Sequence, residues 1–364
     1  MVATQVISHA RFVLRPTLHD RPSCDDRRAL ADADEPPVSV DPSKLAEHHR
    51  DVARALVKGN VVPVLGAGAN LTGVPAAAAA GGWDGFPNLP TGSQLARHLA
   101  TEFGYEGDAK DDLLRVSQYI AIRKGVGTLY DVLHDVFDDD YPWTPLHDFL
   151  AELPKSLAER GLLRRYPLIM TTNYDDLLER AFDRANQDYD LCVYLAEGKP
   201  GERGRFRHVA PDGTVHAVEG GEEDLTLTLE HRPVILKIHG FVERNASAGN
   251  GSYVITEDHY LDYLTQIDLR RLLPAPLYGR LANCHFLFLG YSLRDWNLRA
   301  ILRRLWTEDS IDYASWSVQL FADPLDCELW AKRGVEVFDL PLDEYLEGLA
   351  KEVAAAPRRG PAPT

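Results

Sequence analysis

Asn173 and His239 are the two side chains whose type and position best suit chemistry. His239 ends the apolar run Pro233-Val-Ile-Leu-Lys-Ile and directly precedes Gly240. Asn173 ends Pro167-Leu-Ile-Met-Thr-Thr, with Asp175 two residues further on. A third run, Val61-Val-Pro-Val-Leu, stops at Gly66-Ala67-Gly68-Ala69-Asn70, and a fourth, His285-Phe-Leu-Phe-Leu, stops at Gly290-Tyr291-Ser292-Leu293-Arg294. Short, largely apolar runs of this kind are strands covered on both faces, as in a parallel sheet. In an open parallel sheet, ligands bind outside the carboxyl ends of the strands, so these ends can share one crevice. An imidazole titrating near ~6.5 can accept a proton from a hydroxyl or a water at neutral pH. A glycine turn lets backbone amides approach a pyrophosphate, and the helix after it can aim its positive end at the same charge. Together these groups point to a nucleotide site with acid–base chemistry.

Each group also has a purely structural alternative. Gly66-Ala67-Gly68 is also what a tight strand-to-helix turn requires. The spacing Gly-x-Gly-x-x-Gly fails, because position 71 is Leu and the next glycine is Gly73, so a dehydrogenase fingerprint is not supported. Asp175 or Asp176 can cap the helix that follows. Asp176 is placed to do so, which leaves Asp175 for a ligand. Ser292 can bond a phosphate or an adenosine ribose, Asp295 caps the next helix, and Arg294 balances pyrophosphate charge or pairs with a carboxylate. His147 and His259 read as residues packing locally at helix starts.

The elements that must position these groups alternate along the chain. Strands are expected at 60–65, 167–171, 233–238, 285–289, 316–321 and 335–338. Helices are expected at 176–186, 295–305, 326–333 and 342–355, and a further helix opens at Asp41-Pro42 and stops at Gly59. Pro63 is a local objection to the first strand, since it lacks a ladder donor. Between Thr91 and Leu163 only helical patterns occur, around 94–102, 110–123, 128–136 and 146–159, which reads as a helical insertion over the sheet or the mouth of the crevice. Tyr189 to Glu230 reads as a β-ribbon or long loop. The expected fold is α/β, a Rossmann-like doubly wound parallel sheet with a helical insertion. Residues 1–40 read as an irregular arm, 41–356 as the folded domain, and 357–364 as a disordered tail.

Composition narrows the function classes. Of 364 residues, 45% are hydrophobic and 26% charged, an ordinary globular balance with enough apolar side chains for a sizeable core. The formal charge of −16 argues against direct nucleic-acid binding. Arg270, Arg271 and Arg280 are the candidates for a basic patch, with a solvated helix face as the simpler reading. Cys24, Cys192, Cys284 and Cys327 lie far apart with no Cys-x-x-Cys pair, which fits neither a structural zinc site nor a disulfide framework. Arg11, Arg15 and Pro16 interrupt the first twenty residues, and no run approaches a membrane span. A cytoplasmic protein is expected.

The order Gly-Ala-Gly, Thr171-Thr172-Asn173-Tyr174-Asp175, His239-Gly240, Gly290-Tyr291-Ser292-Leu293 resembles the sirtuin (Sir2) family. It is most similar to the SIR2-like NAD+-consuming effectors of bacterial antiphage defence, over roughly Asp41 to Leu340. The resemblance implies that Asn173 orients the nicotinamide ribose or the attacking water, that Asp175 holds the nicotinamide carboxamide, and that His239 is the general base. It implies further nucleotide contacts from Gly66, Ala67, Gly68, Asn70, Thr172, Gly290, Ser292 and Arg294. Thr172 stands where the family usually has Gln, and Tyr291 where it has Thr. No run of cysteines follows His239-Gly240, and the family's Gly-Ile-Pro-Asp-Phe-Arg segment survives only as Gly73-Val-Pro75 before Ala76–Ala80. Those departures favour water over an acyl-lysine as acceptor. The expected activity is therefore NAD+ glycohydrolysis, with NAD+ as substrate and no metal. By analogy, the chain is expected to form a homo-oligomer, its control resting on assembly or on a hexameric ATPase/translocase partner. A nucleotide-binding scaffold with little catalysis and a protein deacylase are the alternatives. Nicotinamide release separates the first from the expected activity, and a peptide-deacylation assay the second.

Overall fold

The computed structural model describes residues 41–74, 83, 85, 87–199, 201–225, 227–244, 251–266, 268–293, 296–305, 313–320 and 322–357. The expected arm, the tail beyond Pro357, and Arg294 and Asp295 lie outside the described residues, as do Pro75–Ala80.

Helix α1, Pro42–Val57, starts as its sequence requires. Asp41 accepts the Ser43 amide at 2.8 Å and proline occupies the first helical position. It leads into β1, Val61–Leu65, and then a 3-10 turn, Ala67–Leu71. Four helices follow: α2, Gly92–Glu102; α3, Leu113–Lys124; α4, Val126–Phe137; and α5, Pro145–Glu159. Then come β2, Leu168–Thr171, helix α6, Leu177–Arg184, and strands β3, Asp190–Leu195, β4, Arg205–Val209, β5, Val215–Ala217, and β6, Val234–Lys237. A short pair, β7, Gly240–Phe241, and β8, Ser252–Tyr253, precedes helices α7, Glu257–Gln266, α8, Leu269–Leu272, and α9, Ala275–Ala282. The chain closes with β9, His285–Leu289, α10, Trp296–Leu305, β10, Ser315–Gln319, α11, Pro324–Ala331, β11, Val335–Asp339, and α12, Leu342–Ala355.

Nine of these strands form one sheet in the order β11-β10-β9-β1-β2-β6-β3-β4-β5. The pairings from β11 through to β3 are parallel, and β4 and β5 add an antiparallel edge. This is the expected α/β sheet. Alternate residues of each strand feed two cores, as a period of two demands. Val62, Val64, Leu168, Met170, Leu236, Phe286 and Phe288 pack with α7, α9 and α10. Val61, Leu65, Ile169, Ile235, Leu287 and Leu289 pack with α1, α5, α6 and α12. Pro63 is tolerated because pairing with β2 begins only at Val64, opposite Met170.

Two refinements concern the segments between strands. The all-helical stretch divides: α2, α3 and α4 build a separate core with Tyr253 and Val242, whereas α5 packs directly on the sheet. The segment expected as a ribbon or loop forms an antiparallel ribbon, β3-β4-β5, and its first strand also joins the parallel sheet, with Leu191 opposite Ile235 on β6. Among the described residues, no helix is long and apolar enough to cross a membrane. The candidate basic patch is a solvated face in part: Arg270 pairs with Glu222 and Arg271 with Asp268, whereas Arg280 is buried.

Buried histidines make stability depend on pH. His48, on α1, lies 2.8 Å from the Tyr345 hydroxyl of α12, and burial, followed by the charge of His49, lowers its pKa to about 3. Burial lowers that of His147 to about 4. Both values lie below the unfolded reference of ~6.5, so the unfolded chain binds more protons as pH falls through that value. Their contribution is complete above about pH 6.5 and is lost progressively towards pH 4, by up to ~1.4 kcal/mol per pH unit for each histidine. Urea denaturation across this window should show the loss, and His48→Gln should reduce its slope. An unchanged slope in the variant would exclude His48 as a source.

Candidate active site

The carboxyl ends of β9, β1, β2 and β6 are neighbours, and backbone hydrogen bonds tie them edge to edge. Gly66 N donates to Leu289 O (3.2 Å) and Gly68 N to Gly290 O (2.9 Å). Thr172 N donates to Leu65 O (3.2 Å), and Ile238 N to Thr171 O (3.0 Å). Beyond the strands, Val242 N reaches Tyr174 O at 2.8 Å, so the loop after His239 lies beside the loop holding Asn173. The sheet runs to one side of β1 through β2 and to the other through β9, which is where such sheets open a ligand crevice.

The two glycine motifs meet each other. A Cβ on Gly68 would lie 2.7 Å from Gly290 O, and one on Gly290, whose φ is +62°, would lie 2.3 Å from Ala69 N. The Gly66 and Gly68 amides are spent on the β9 end, and Ala69 N bonds Gly66 O. These glycines therefore serve loop-on-loop packing at the switch point. Thr144, at the start of α5, fastens the same turn by donating to Ala69 O at 3.1 Å.

Asn173 is half-buried, its amide N donating to Thr171 Oγ1 (3.0 Å). Its Nδ2 donates to Gly66 O (3.1 Å) and points at Asn70 Oδ1 (3.5 Å). With Nδ2 engaged, Oδ1 is the carboxamide atom left to receive a hydroxyl or water. Asn70 is buried and donates from Nδ2 to Asp175 Oδ2 at 2.8 Å. The cap expected of Asp176 is supplied by Asp175. Asp175, also buried, accepts the Leu177 amide at the start of α6 (3.2 Å), whereas Asp176 makes no side-chain cap bond. Arg244, after β7, draws Asp176 away at 2.8 Å, and burial raises the Asp176 pKa against the pull of that guanidinium. Thr172 follows β2 directly, and its amide is the one bonded to Leu65 O.

His239 is buried, with 3% of its surface exposed. Its ring lies 6.0 Å from that of Tyr260 and 5.7 Å, edge-on, from that of Tyr263, both on α7. Its carbonyl accepts Val254 N at 2.8 Å. Gly290 is half-buried, Tyr291 is buried and Ser292 is exposed beyond β9. His147 and His259 are structural, as expected. His147 Nδ1 accepts the Thr144 amide at 3.1 Å, and His259 Nδ1 faces the Ile255 and Thr256 amides at 3.4 Å. Sequence reasoning missed the buried pair Lys237–Glu179 (2.7 Å), whose signal was a lysine inside an otherwise apolar strand. Among the described residues, no group of three or more His, Cys, Asp or Glu side chains is arranged to hold a metal ion.

Residues 167–338 match the SIR2-like domain family. The chain is 27% identical to NAD(+) hydrolase ThsA of Enterococcus faecium over 252 residues, covering 69% of this chain and 41% of that protein. It is 30% identical to NAD(+) hydrolase ThsA of Acinetobacter baumannii (strain 532279) over 58% of this chain and 35% of that one. It is 27% identical to Defense-associated sirtuin 2 of Bacillus subtilis over 53% of this chain and 15% of that one. The chain thus spans well under half the length of these relatives. A solved structure described as "Structural Basis for the Mechanism and Regulation of Sir2 Enzymes" aligns with a TM-score of 0.37 and 12% identity over 84% of this chain and 97% of its own. The matched span, just under half of the chain, holds the ends of β2, β6 and β9, and over it the chain is similar to the SIR2-like domain family.

Proposed function

We propose that the chain is an NAD+ glycohydrolase, converting NAD+ and water to nicotinamide, ADP-ribose and a proton. The observation that carries this reading is the run of hydrogen bonds setting the Asn173 loop beside the His239 loop at adjacent strand ends. The C1′–N bond breaks with its electron pair passing to the pyridinium nitrogen, and neutral nicotinamide leaves. Asn173 Oδ1 holds the ribose hydroxyl or the incoming water beside the oxocarbenium-like carbon, and His239 takes the proton released as water adds. Asn70 and Asp175 line the nicotinamide side. The turns at Gly66–Gly68 and Gly290, with Thr172 and Ser292, face the rest of the dinucleotide, and Arg294 is assigned to it by its motif. The activity named for the ThsA relatives supports this reading.

The physiological role proposed is antiphage defence by NAD+ depletion in the cytoplasm, in keeping with the name of the Bacillus subtilis relative. Unrestrained NAD+ cleavage would kill the cell that makes the enzyme. Activity is therefore proposed to depend on a homo-oligomer or on an ATPase/translocase partner. The small exposure of His239 supports such control, because the proton acceptor is covered in this conformation. The test is chromatographic detection of nicotinamide and ADP-ribose in equal amounts, with light scattering coupled to size exclusion on the same sample. No nicotinamide from the assembled protein with its partner would refute the activity. A monomer that cleaves NAD+ at full rate at micromolar concentration would refute the control.

A further inference from the structure

Lys237 is the last residue of β6, two before His239, and 1% of it is exposed. Its ammonium bonds Glu179 Oε1 on α6 at 2.7 Å and also donates to the backbone carbonyl of Asp175. Glu179 is buried as well, and burial raises its pKa against the opposing charge of Lys237. A buried ion pair is weak evidence for stability, since apolar residues of similar size often serve as well. What marks this pair is where the second bond of the ammonium goes. Asp175, whose carbonyl it holds, carries the carboxylate that accepts Asn70 Nδ2, and Asn70 Oδ1 faces Asn173 Nδ2.

We infer that Lys237 and Glu179 are positioning residues that fix Asn173 relative to His239, an inference that rests on the proposed NAD+ cleavage. One ammonium spans the two strand ends. Its own backbone carries His239, and its bond to the Asp175 carbonyl sets the turn that carries Asn173. A hydrophobic replacement can fill the space and restore packing, but it cannot donate to that carbonyl. The turn then loses the bond that orients Asp175, Asn70 and the Asn173 carboxamide in sequence. Misplacement of a reacting group by about 1 Å costs on the order of 100-fold in rate.

The test uses the full chain and separates packing from positioning. Lys237→Met alone is expected to destabilise the fold, because it strands the Glu179 carboxylate in the core. The double variant Lys237→Met/Glu179→Leu removes both charges and is expected to melt within a few degrees of wild type. Its kcat for nicotinamide release should nonetheless fall by about 10- to 100-fold, with KM for NAD+ changed less than about threefold. A folded double variant with wild-type kcat would overturn the inference. A wild type that releases no nicotinamide would instead refute the proposed function. In that case the crystal structure of the double variant still decides the positioning, because Asn173, Asn70 and Asp175 found in their wild-type contacts would exclude it.

Discussion

Replacing Asn173 or His239 by alanine is expected to slow nicotinamide release by about 10²- to 10⁴-fold while leaving the protein folded. The two losses have different origins. Asn173→Ala removes the acceptor Oδ1 and also the Nδ2 bond to Gly66 O at 3.1 Å. One such bond is worth about 1 kcal/mol, small beside a domain stability of about 5–15 kcal/mol. His239→Ala removes a buried ring packed against Tyr260 and Tyr263 and costs more stability, on the order of 2–3 kcal/mol. Neither loss unfolds a domain with two extended cores. The rate effect should appear mainly in kcat, since both groups act on the reacting carbon and its water. Single-turnover measurements with melting curves on the same preparations check this. Near-wild-type turnover in His239→Ala would remove that residue from the chemical step.

How much of this was legible in the sequence follows from how local each signal is. The strands bearing the motifs were readable because a strand covered on both faces is largely apolar, as Leu168–Met170 and Phe286–Leu289 are. β3 was not readable as a sheet strand. Asp190-Leu-Cys-Val-Tyr-Leu sits among glycines and charges, and the partner that makes it a strand, β6, is remote in sequence. The candidate site shows the same division. Asn173 and His239 announce themselves by ending apolar runs. That Asp175 and not Asp176 caps α6 could not be read locally, because Asp176 is paired with Arg244 from beyond β7. The glycines were readable as close-approach positions. That Gly68 and Gly290 approach each other, from motifs far apart in the chain, is a property of the sheet order alone.

Gly240→Ala is expected to destabilise the protein by about 3–5 kcal/mol, and to abolish NAD+ cleavage in whatever fraction folds. Gly240 has φ +96°, and an added Cβ would lie 1.9 Å from Ser252 O and 2.5 Å from Ser252 C. Those are backbone atoms of β8, the strand that pairs Gly240 with Tyr253, so no side chain can swing aside to make room. The pair must separate. Separation pulls at the bond from Val254 N to His239 O and at Tyr253, whose ring packs with Tyr130, Phe137 and Tyr174. The damage thus falls on the loop that positions His239 and on its contact with α4. A second glycine isolates the cause. Gly213 also has positive φ, +80°, but a Cβ added there would meet nothing within 4 Å, so Gly213→Ala bears the backbone strain alone, about 1 kcal/mol. Melting curves of the two variants should therefore differ widely, with Gly240→Ala roughly 5–15 °C below wild type and Gly213→Ala within a few degrees of it. Equal shifts in the two would mean that the left-handed backbone, and not the β7–β8 contact, sets the requirement for glycine after His239.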